Sequence, residues 1–205
     1  RVPMFSNTKF HAKEGLGIGP FSDRIAKRYG TRDFSQFRGA QMIADKWGFD
    51  RDTLDRFALE SHRRASAATR SGAFKDEIVP LAVENGVHAR DEGIRDDASL
   101  EAIASVKLLE EGGMISAANA SQICDGAAGI LVVSEAALKK CGLTPKARIV
   151  NLTVTGGDPV IMLEEPIPAT KRALERAGMA IGDIDLYEVN EAFASVVLRY
   201  MREME

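Results

Sequence analysis

Apolar residues recur at helical spacing through the middle of the chain. The spacing predicts one helix over Gln36–Trp47 and a second over Arg51–Ser71. Asp50 is expected to cap the second helix and Gly72 to end it, because Asp is a favoured N-cap and Gly readily adopts the left-handed conformation that follows many helices. The polar face of this helix is predicted to face solvent, and its charged members are Asp52, Asp55, Arg56, Arg63, Arg64 and Arg70.

Strand patterns alternate with shorter helical patterns in the rest of the chain. The strand patterns lie at 77–83, 129–133, 147–155 and 183–189. The continuous apolar run at 129–133 is typical of a strand buried in a central sheet, and Ser134 is expected to cap the helix that follows it. The prolines at 166 and 168 are predicted to bracket a helix start, and residues 170–178 are predicted to form an amphipathic helix. The order strand, helix, strand from 147 to 189 favours a parallel pair with a right-handed crossover, and therefore an α/β layered architecture.

The two ends and one internal stretch fit neither pattern so well. Residues 1–35 are predicted to be mostly loop with a short helix near 21–28, and residues 84–98 are predicted to be loop throughout. The last residues form a helical apolar stripe that we expect to be left open where the chain stops, and its members are Phe193, Val196, Val197, Tyr200 and Met204. Because the chain also begins without Met, we expect it to be an internal part of a longer protein.

A polar pair stands where the last strand pattern meets the last helical pattern. Asn190 and Glu191 occupy this joint, and Asn is a favoured N-cap while an early Glu complements the helix dipole, so one interpretation is a capped helix start. The other interpretation is a ligand site, because the small residues Ala192 and Ala194 on either side of Phe193 let a ligand approach the helix N-terminus. Polar residues at the ends of strands are also where α/β proteins place their chemistry.

A second stretch, residues 114–121, is rich in small side chains. Small residues in a row allow an extended ligand to approach the backbone, and they equally allow a close-packed turn. Both interpretations stay open on this pattern alone.

Composition narrows the class of protein. The chain has 205 residues, of which 45% are hydrophobic and 28% charged, with a formal net charge of −3. This balance is typical of a soluble globular protein and gives no reason to expect a nucleic-acid partner. No apolar run is long enough for a membrane span. Cys124 and Cys141 are too few for a disulfide framework and lack metal-site spacing, which favours a cytoplasmic setting and no bound metal.

Four segments resemble the thiolases, the acyltransferases that form or cleave 3-oxoacyl-CoA. They stand in the same order as in that family, and they are Phe74–Pro80, Ala118–Ser121 followed by 125–128, Pro166–Ala169 and the Asn-Glu-Ala-Phe-Ala box at 190–194. The resemblance implies an α/β thiolase-like layered fold with a parallel-rich mixed sheet, covering helices and a helical loop domain. It also implies that residues 1–120 form the loop domain, 121–143 the end of the first core domain and 144–205 the start of the second.

The resemblance further implies roles for particular residues. Asn190 would hold a water that donates to the thioester oxygen, a role that suits a neutral amide. Ser121 would hydrogen-bond the pantetheine arm of CoA, with Ala117, Ala192 and Phe193 beside it. The expected partners are acyl-CoA and CoA as substrates and further copies of the chain in a homodimer or homotetramer, in fatty acid or lipid metabolism, with no separate cofactor.

Three catalytic segments of that family have no match in this sequence. The nucleophilic cysteine, the His-Pro segment and the Cys-Gly segment are absent, and neither Cys124 nor Cys141 stands where the family has a catalytic cysteine, so both are interpreted as structural. The 205-residue chain alone is therefore predicted to be inactive. The alternative from another class is a non-catalytic CoA-binding or assembly module, and a ketoacyl synthase relative is a weaker one.

Overall fold

The computed structural model describes residues 6–17 and 19–205, in which helices are the main regular structure. Within these ranges the chain forms a 3₁₀ helix at Ile181–Asp183 and eight α-helices, at Ser6–Glu14 (α1), Asp23–Tyr29 (α2), Gln36–Trp47 (α3), Arg51–Ser71 (α4), Leu100–Ala104 (α5), Glu135–Cys141 (α6), Pro166–Ala177 (α7) and Ala194–Met204 (α8). No helix in these ranges combines the length and apolarity that a membrane span requires.

The two central helices have the bounds that the sequence predicts. The Asp50 side chain accepts a hydrogen bond from the Thr53 backbone N–H at 2.8 Å and caps α4. Gly48 and Gly72 end α3 and α4 in the left-handed conformation, with φ of 66° and 73°. Local signals suffice here because periodicity and capping agree.

Two other helix predictions are confirmed, and one helix was not predicted. The short helix predicted near 21–28 is confirmed by α2, and the predicted loop is confirmed at 15–17, 19–22 and 30–35, whereas α1 occupies another part of it. The loop predicted at 1–5 and 18 lies outside the described residues. Helix α7 begins at Pro166, which confirms the helix start predicted at the prolines at 166 and 168, because proline is tolerated in the first turn of a helix.

The main core lies where α8 packs on α3 and α4. Its buried apolar members are Ala40, Ile43, Ala44, Phe49, Leu54, Ile115, Phe193, Ala194 and Val196. The Ser195 hydroxyl, also buried, donates to the Ala40 carbonyl oxygen at 3.0 Å and so joins α8 to α3. The expectation of an open apolar stripe on the last helix is therefore wrong, since Val196, Val197 and Tyr200 are buried.

A smaller core joins α4 to α5, and it corrects the prediction for the polar face of α4. Ala58, Leu59 and Ile103 form this cluster, with Ala118 packed against it. Beside it Asp55 is only 1% exposed, although it was predicted to face solvent with its charged neighbours. An aspartate can be buried there because it is paired and hydrogen-bonded.

One antiparallel hairpin is the sheet that the described residues form. Leu81–Val83 (β1) pairs with Gly86–His88 (β2), with Leu81 opposite His88. The strand predicted at 77–83 is thus confirmed in its second half, and the loop predicted at 84–98 is wrong at β2. Glu84 and Asn85 form the turn, since Val83 pairs with Gly86, whose φ is 141°.

The other three predicted strands are extended but unpaired among the described residues. Their apolar side chains are exposed, as shown by Ile130 at 90%, Val154 at 89% and Leu186 at 89%. The parallel pair predicted between 147–155 and 183–189 is therefore not formed in the described chain. A strand needs a neighbour for its backbone hydrogen bonds, which its own sequence cannot supply.

The predicted domain division at 120 and 143 stays a prediction.

Candidate active site

A cleft of about 310 Å³ opens between α4 and the start of α8. Three walls surround it: one face of α4, the loop after β2, and the two chain segments that contain residues 121 and 190. The residues that line it are Phe57, Ala58, Ser61, His62 and Ala65 from α4, Asp91, Gly93 and Ile94 from the loop, and Ala118, Asn119, Ala120, Ser121, Gln122, Cys124, Asn190, Glu191 and Ala194. The cleft therefore brings together Ser121 and Asn190, which lie far apart in the sequence.

Asn190 lies at the cleft and does not cap a helix. Helix α8 begins at Ala194 with Phe193 in the N-cap position, so the interpretation of Asn190 as an N-cap is wrong. Its neighbour Glu191 accepts a hydrogen bond from the Ser61 hydroxyl at 2.7 Å, which ties this joint to α4. Asn190 itself is exposed at the cleft.

Ser121 is held against the same joint by backbone hydrogen bonds. Its N–H donates to the Ala192 carbonyl oxygen at 2.9 Å, and the Ala194 N–H donates to the Asn119 carbonyl oxygen at 2.9 Å. An antiparallel bridge between Ala120 and Phe193 lies between these two bonds. We name the paired segments 119–121 and 192–194 the site ladder. It fixes Ser121 and the start of α8 as one unit.

The other three residues predicted beside the CoA arm do not line the cleft. Phe193 is 2% exposed and belongs to the main core, where its ring meets Phe37 edge-on at 5.6 Å. Ala192 contributes its backbone to the site ladder, and Ala117 is exposed outside the lining. A large apolar ring at the end of a core helix gains more by burial than at an open wall, which accounts for the position of Phe193.

The loop after β2 forms a wall that the sequence did not reveal. The Gln122 side-chain amide donates to the Gly93 carbonyl oxygen at 2.6 Å. The Arg95 N–H donates to Nδ1 of His62 at 3.3 Å and so joins the loop to α4. The sequence placed His62 on the surface and this loop outside any site, because neither has a partner within a local sequence pattern.

Asp96 fixes the far end of this loop to α4. Its carboxylate accepts hydrogen bonds from the Ser66 hydroxyl and the Arg90 guanidinium, with Arg70 3.8 Å away. The hydrogen bond from Ser66 and then that from Arg90 lower the pKa of Asp96 below its ordinary value. The wall is thus held by a carboxylate that stays ionised at neutral pH.

The two cysteines are both exposed free thiols. Cys124 lines the cleft, and Cys141 is the last residue of α6. Their packing gives no support to the structural role expected for them.

The cleft combines polar side chains with apolar wall. Asn190 offers an amide, Ser121 a hydroxyl and Asp91 and Glu191 carboxylates, while Ala58, Ala65 and Phe57 supply apolar wall. Polar anchors beside apolar wall are typical of sites for organic ligands. Among the described residues no His, Cys, Asp and Glu cluster could hold a metal ion.

Comparison with known proteins identifies two matching family models. The first is described as "Thiolase, N-terminal domain" and matches residues 33–136, and the second as "Thiolase, C-terminal domain" and matches residues 143–205. The first alone covers more than half of the chain.

Individual relatives agree with the family models. The chain is 49% identical over 178 residues to the steroid 3-ketoacyl-CoA thiolase FadA6 of Mycobacterium tuberculosis, covering 87% of this chain and 44% of that protein. It is 40% identical over 210 residues to the 3-ketoacyl-CoA thiolase of Citrobacter koseri, covering 99% of this chain and 51% of that protein. The chain spans about half the length of these relatives.

A solved structure confirms the predicted fold class. The crystal structure of human mitochondrial 3-ketoacyl-CoA thiolase in complex with CoA superimposes with a TM-score of 0.79 at 39% identity. The match covers 82% of this chain and 42% of the human one. At 39% identity the two chains are alike in sequence as well as in fold. The structure described above is therefore part of an α/β layered fold.

Proposed function

Since the chain belongs to the thiolase family, we propose that its complete gene product is an acyl-CoA acyltransferase that cleaves or forms 3-oxoacyl-CoA. In the cleaving direction, 3-oxoacyl-CoA and CoA would give acetyl-CoA and an acyl-CoA shortened by two carbons. The observation that carries the proposal is the meeting of Ser121 and Asn190 in one cleft. The relatives bear enzyme names, which favours acyl transfer over the non-catalytic CoA-binding alternative.

In this proposal Asn190 is the catalytic residue of the described cleft. It holds a water that donates to the thioester oxygen as negative charge develops there. Its exposed position at the cleft and its separation from the helix cap support this role. A neutral amide orients a water without adding charge, which matches an oxygen that is neutral in the ground state.

Ser121 is the proposed anchor for the pantetheine arm of CoA. Its backbone is fixed in the site ladder, so its Cα position at the cleft is set before a ligand arrives. Ala192 and Phe193 serve the same subsite indirectly. The Ala192 carbonyl oxygen accepts the Ser121 N–H, and the buried Phe193 side chain anchors its ladder segment in the main core. For Ala117 the structure offers no supporting contact.

The test is a thiolysis assay on the complete gene product with acetoacetyl-CoA and CoA. We expect Asn190→Ala to lower kcat by about 10²- to 10³-fold, because the lost group acts on the transition state. Ser121→Ala is expected mainly to raise the KM for CoA. Asn85→Ala, an exposed asparagine in the hairpin turn, is the matched control and should leave both constants unchanged. A wild-type protein without thiolysis, or an Asn190→Ala variant that changes only KM, would contradict the proposal.

Two further properties belong to the proposal. We expect a homodimer or homotetramer, as in the family that the sequence resembles, and light scattering on the purified protein would measure this. A cytoplasmic location is supported by the two free cysteines, and a fluorescent fusion of the complete protein would test it.

A further inference from the structure

A buried carboxylate lies behind the cleft. Asp55 on α4 is 1% exposed and does not line the cleft. Nε of Arg51, one turn earlier, donates to Oδ2 of Asp55 at 2.6 Å. The same guanidinium donates to the carbonyl oxygens of Ile103 at 3.1 Å and Val106 at 3.4 Å, at the end of α5. A carboxylate is expensive to bury, so its partners are expected to define its place closely.

Asn119 is the second partner of this carboxylate. Its Nδ2 donates to Oδ1 of Asp55 and to the Met114 carbonyl oxygen, each at 3.0 Å. Its Oδ1 accepts the Ser116 N–H at 3.0 Å. Both amide hydrogens and the amide oxygen are therefore engaged, and Asn119 is 3% exposed. Such an amide has one orientation that satisfies all its partners.

The backbone of Asn119 continues directly into the site ladder. Its carbonyl oxygen accepts the Ala194 N–H, and two residues later the Ser121 N–H donates to Ala192. The side chain of Asn119 thus joins the ladder to α4, while its main chain joins the ladder to the start of α8. No other side-chain hydrogen bond of residues 118–121 reaches α4 in the described chain.

We propose that Asp55 and Asn119 form a positioning pair, which sets the site ladder and with it Ser121 at their working distance from the α4 wall, while the Ser61–Glu191 hydrogen bond holds the Asn190 joint. The proposal rests on the proposed function, and neither residue is assigned chemistry on the substrate. The pair acts through the ladder: Asp55 holds the Asn119 amide, and Asn119 holds both ladder segments. The Arg51 contacts to α5 keep the carboxylate itself from rotating.

The first test measures the ladder itself, by hydrogen exchange in the complete gene product. Asn119→Ala leaves Oδ1 of Asp55 and the Ser116 N–H without their partner, so the ladder should open more often. We expect amide exchange at Ser121 and Ala194 to rise at least about tenfold while α7 amides stay unchanged. Tyr200→Phe is the matched control, because it removes a hydroxyl that lies 3.0 Å from the Thr170 hydroxyl on the other side of α8.

The second test measures activity with the same variants at a temperature where each is folded. A displacement of about 1 Å in a positioned group can cost as much as 100-fold in rate, so we expect kcat/KM for thiolysis to fall about ten- to 100-fold in Asn119→Ala. Tyr200→Phe should keep wild-type activity.

Several outcomes separate the positioning role from a merely structural one. Exchange at Ser121 and Ala194 that rises no more than in Tyr200→Phe would overturn the proposal, as would a wild-type kcat/KM in Asn119→Ala. If Asn119→Ala does not fold, Asn119→Asp supplies the comparison, because its carboxylate would face Asp55 and repel it. Faster ladder exchange in a protein whose wild type lacks thiolysis would support the positioning pair while refuting the proposed function.

Discussion

The helical core and the extended segments were both predicted from apolar patterns, yet they differ in what they bury. The helical core comprises α3, α4 and α8, and its Ile43 and Leu54 are fully buried. The extended segments are 129–133, 147–155 and 183–189, and their apolar side chains are mostly exposed. A helix satisfies its backbone within itself and needs only one packed face, whereas a strand needs a neighbour for every residue. An apolar pattern alone therefore predicts a helix more completely than a sheet.

The largest effect expected from this difference is on the stability of the 205-residue chain. Leu54→Ala should lower the free energy of unfolding by about 2–5 kcal/mol, because it opens a cavity in the main core. Leu131→Ala, at a residue 77% exposed, should change it by less than about 0.5 kcal/mol. Urea denaturation of both variants measures the contrast. A Leu131 variant as damaged as the Leu54 variant would show that the extended segments are covered in solution.

A smaller effect is expected from adding one methyl group in each region. A Cβ on Gly39 of α3 would lie 2.6 Å from the Ile161 carbonyl oxygen, a backbone atom with little freedom to move. Gly39→Ala should therefore cost about 1–3 kcal/mol. Gly182, before the last extended segment, has no atom within 4 Å of a built Cβ, so Gly182→Ala is the control and should be nearly neutral. Thermal unfolding would show the difference, and equal midpoints would contradict the close packing of α3 on the turn at 161.

The smallest effect on the free energy of unfolding is expected from replacing a carboxylate at the edge of the core. Glu164 accepts hydrogen bonds from Nζ of Lys46 at 2.7 Å and Nε1 of Trp47 at 2.5 Å, and Nε of Arg199 lies 3.5 Å away. Desolvation by burial raises the pKa of Glu164, but the hydrogen bonds from Lys46 and Trp47 outweigh it, and the pKa falls below its ordinary value. Glu164→Gln should cost about 1–2 kcal/mol at pH 7.

The pH dependence of that difference follows from the lowered pKa. A group with a depressed pKa in the folded state stabilises the fold above its unfolded pKa, about 4.3 for Glu, and this stabilisation is lost as the pH falls through the folded value. The stability gap between wild type and Glu164→Gln should thus shrink below about pH 4. Glu175→Gln, at an exposed position on α7, should show no such gap. A gap that is constant from pH 7 to pH 3 would contradict the assigned partners.

Sequence reasoning was accurate where local signals decide the structure. Helices α3 and α4 follow from periodicity with caps. It failed for Asp55, because a charged residue on a polar helix face implies solvent until its buried partners are known. The pairing of the extended segments depends on residues distant in sequence, which no local pattern contains.

The candidate site was predicted in part. Ser121 and Asn190 do meet in one cleft, as the resemblance implied, and Phe193 is in the core because burial of its ring outweighs exposure at a wall. The wall formed by 91–94 and His62 escaped prediction, since its hydrogen bonds join residues about 30 positions apart. Sequence thus identified the chemical groups better than the surface that surrounds them.

The central claim is that CoA binds in the cleft shared by Ser121 and Asn190, and a protection experiment tests it most directly. Cys124 lines this cleft and Cys141 lies on α6, so the chain contains both a reporter and an internal control. The complete gene product would be alkylated with iodoacetamide with or without desulfo-CoA, which lacks the thiol that would consume the reagent, and each cysteine followed by peptide mass spectrometry. The account predicts that desulfo-CoA slows alkylation of Cys124 and leaves Cys141 unchanged. Equal rates at Cys124 with and without saturating desulfo-CoA would contradict it.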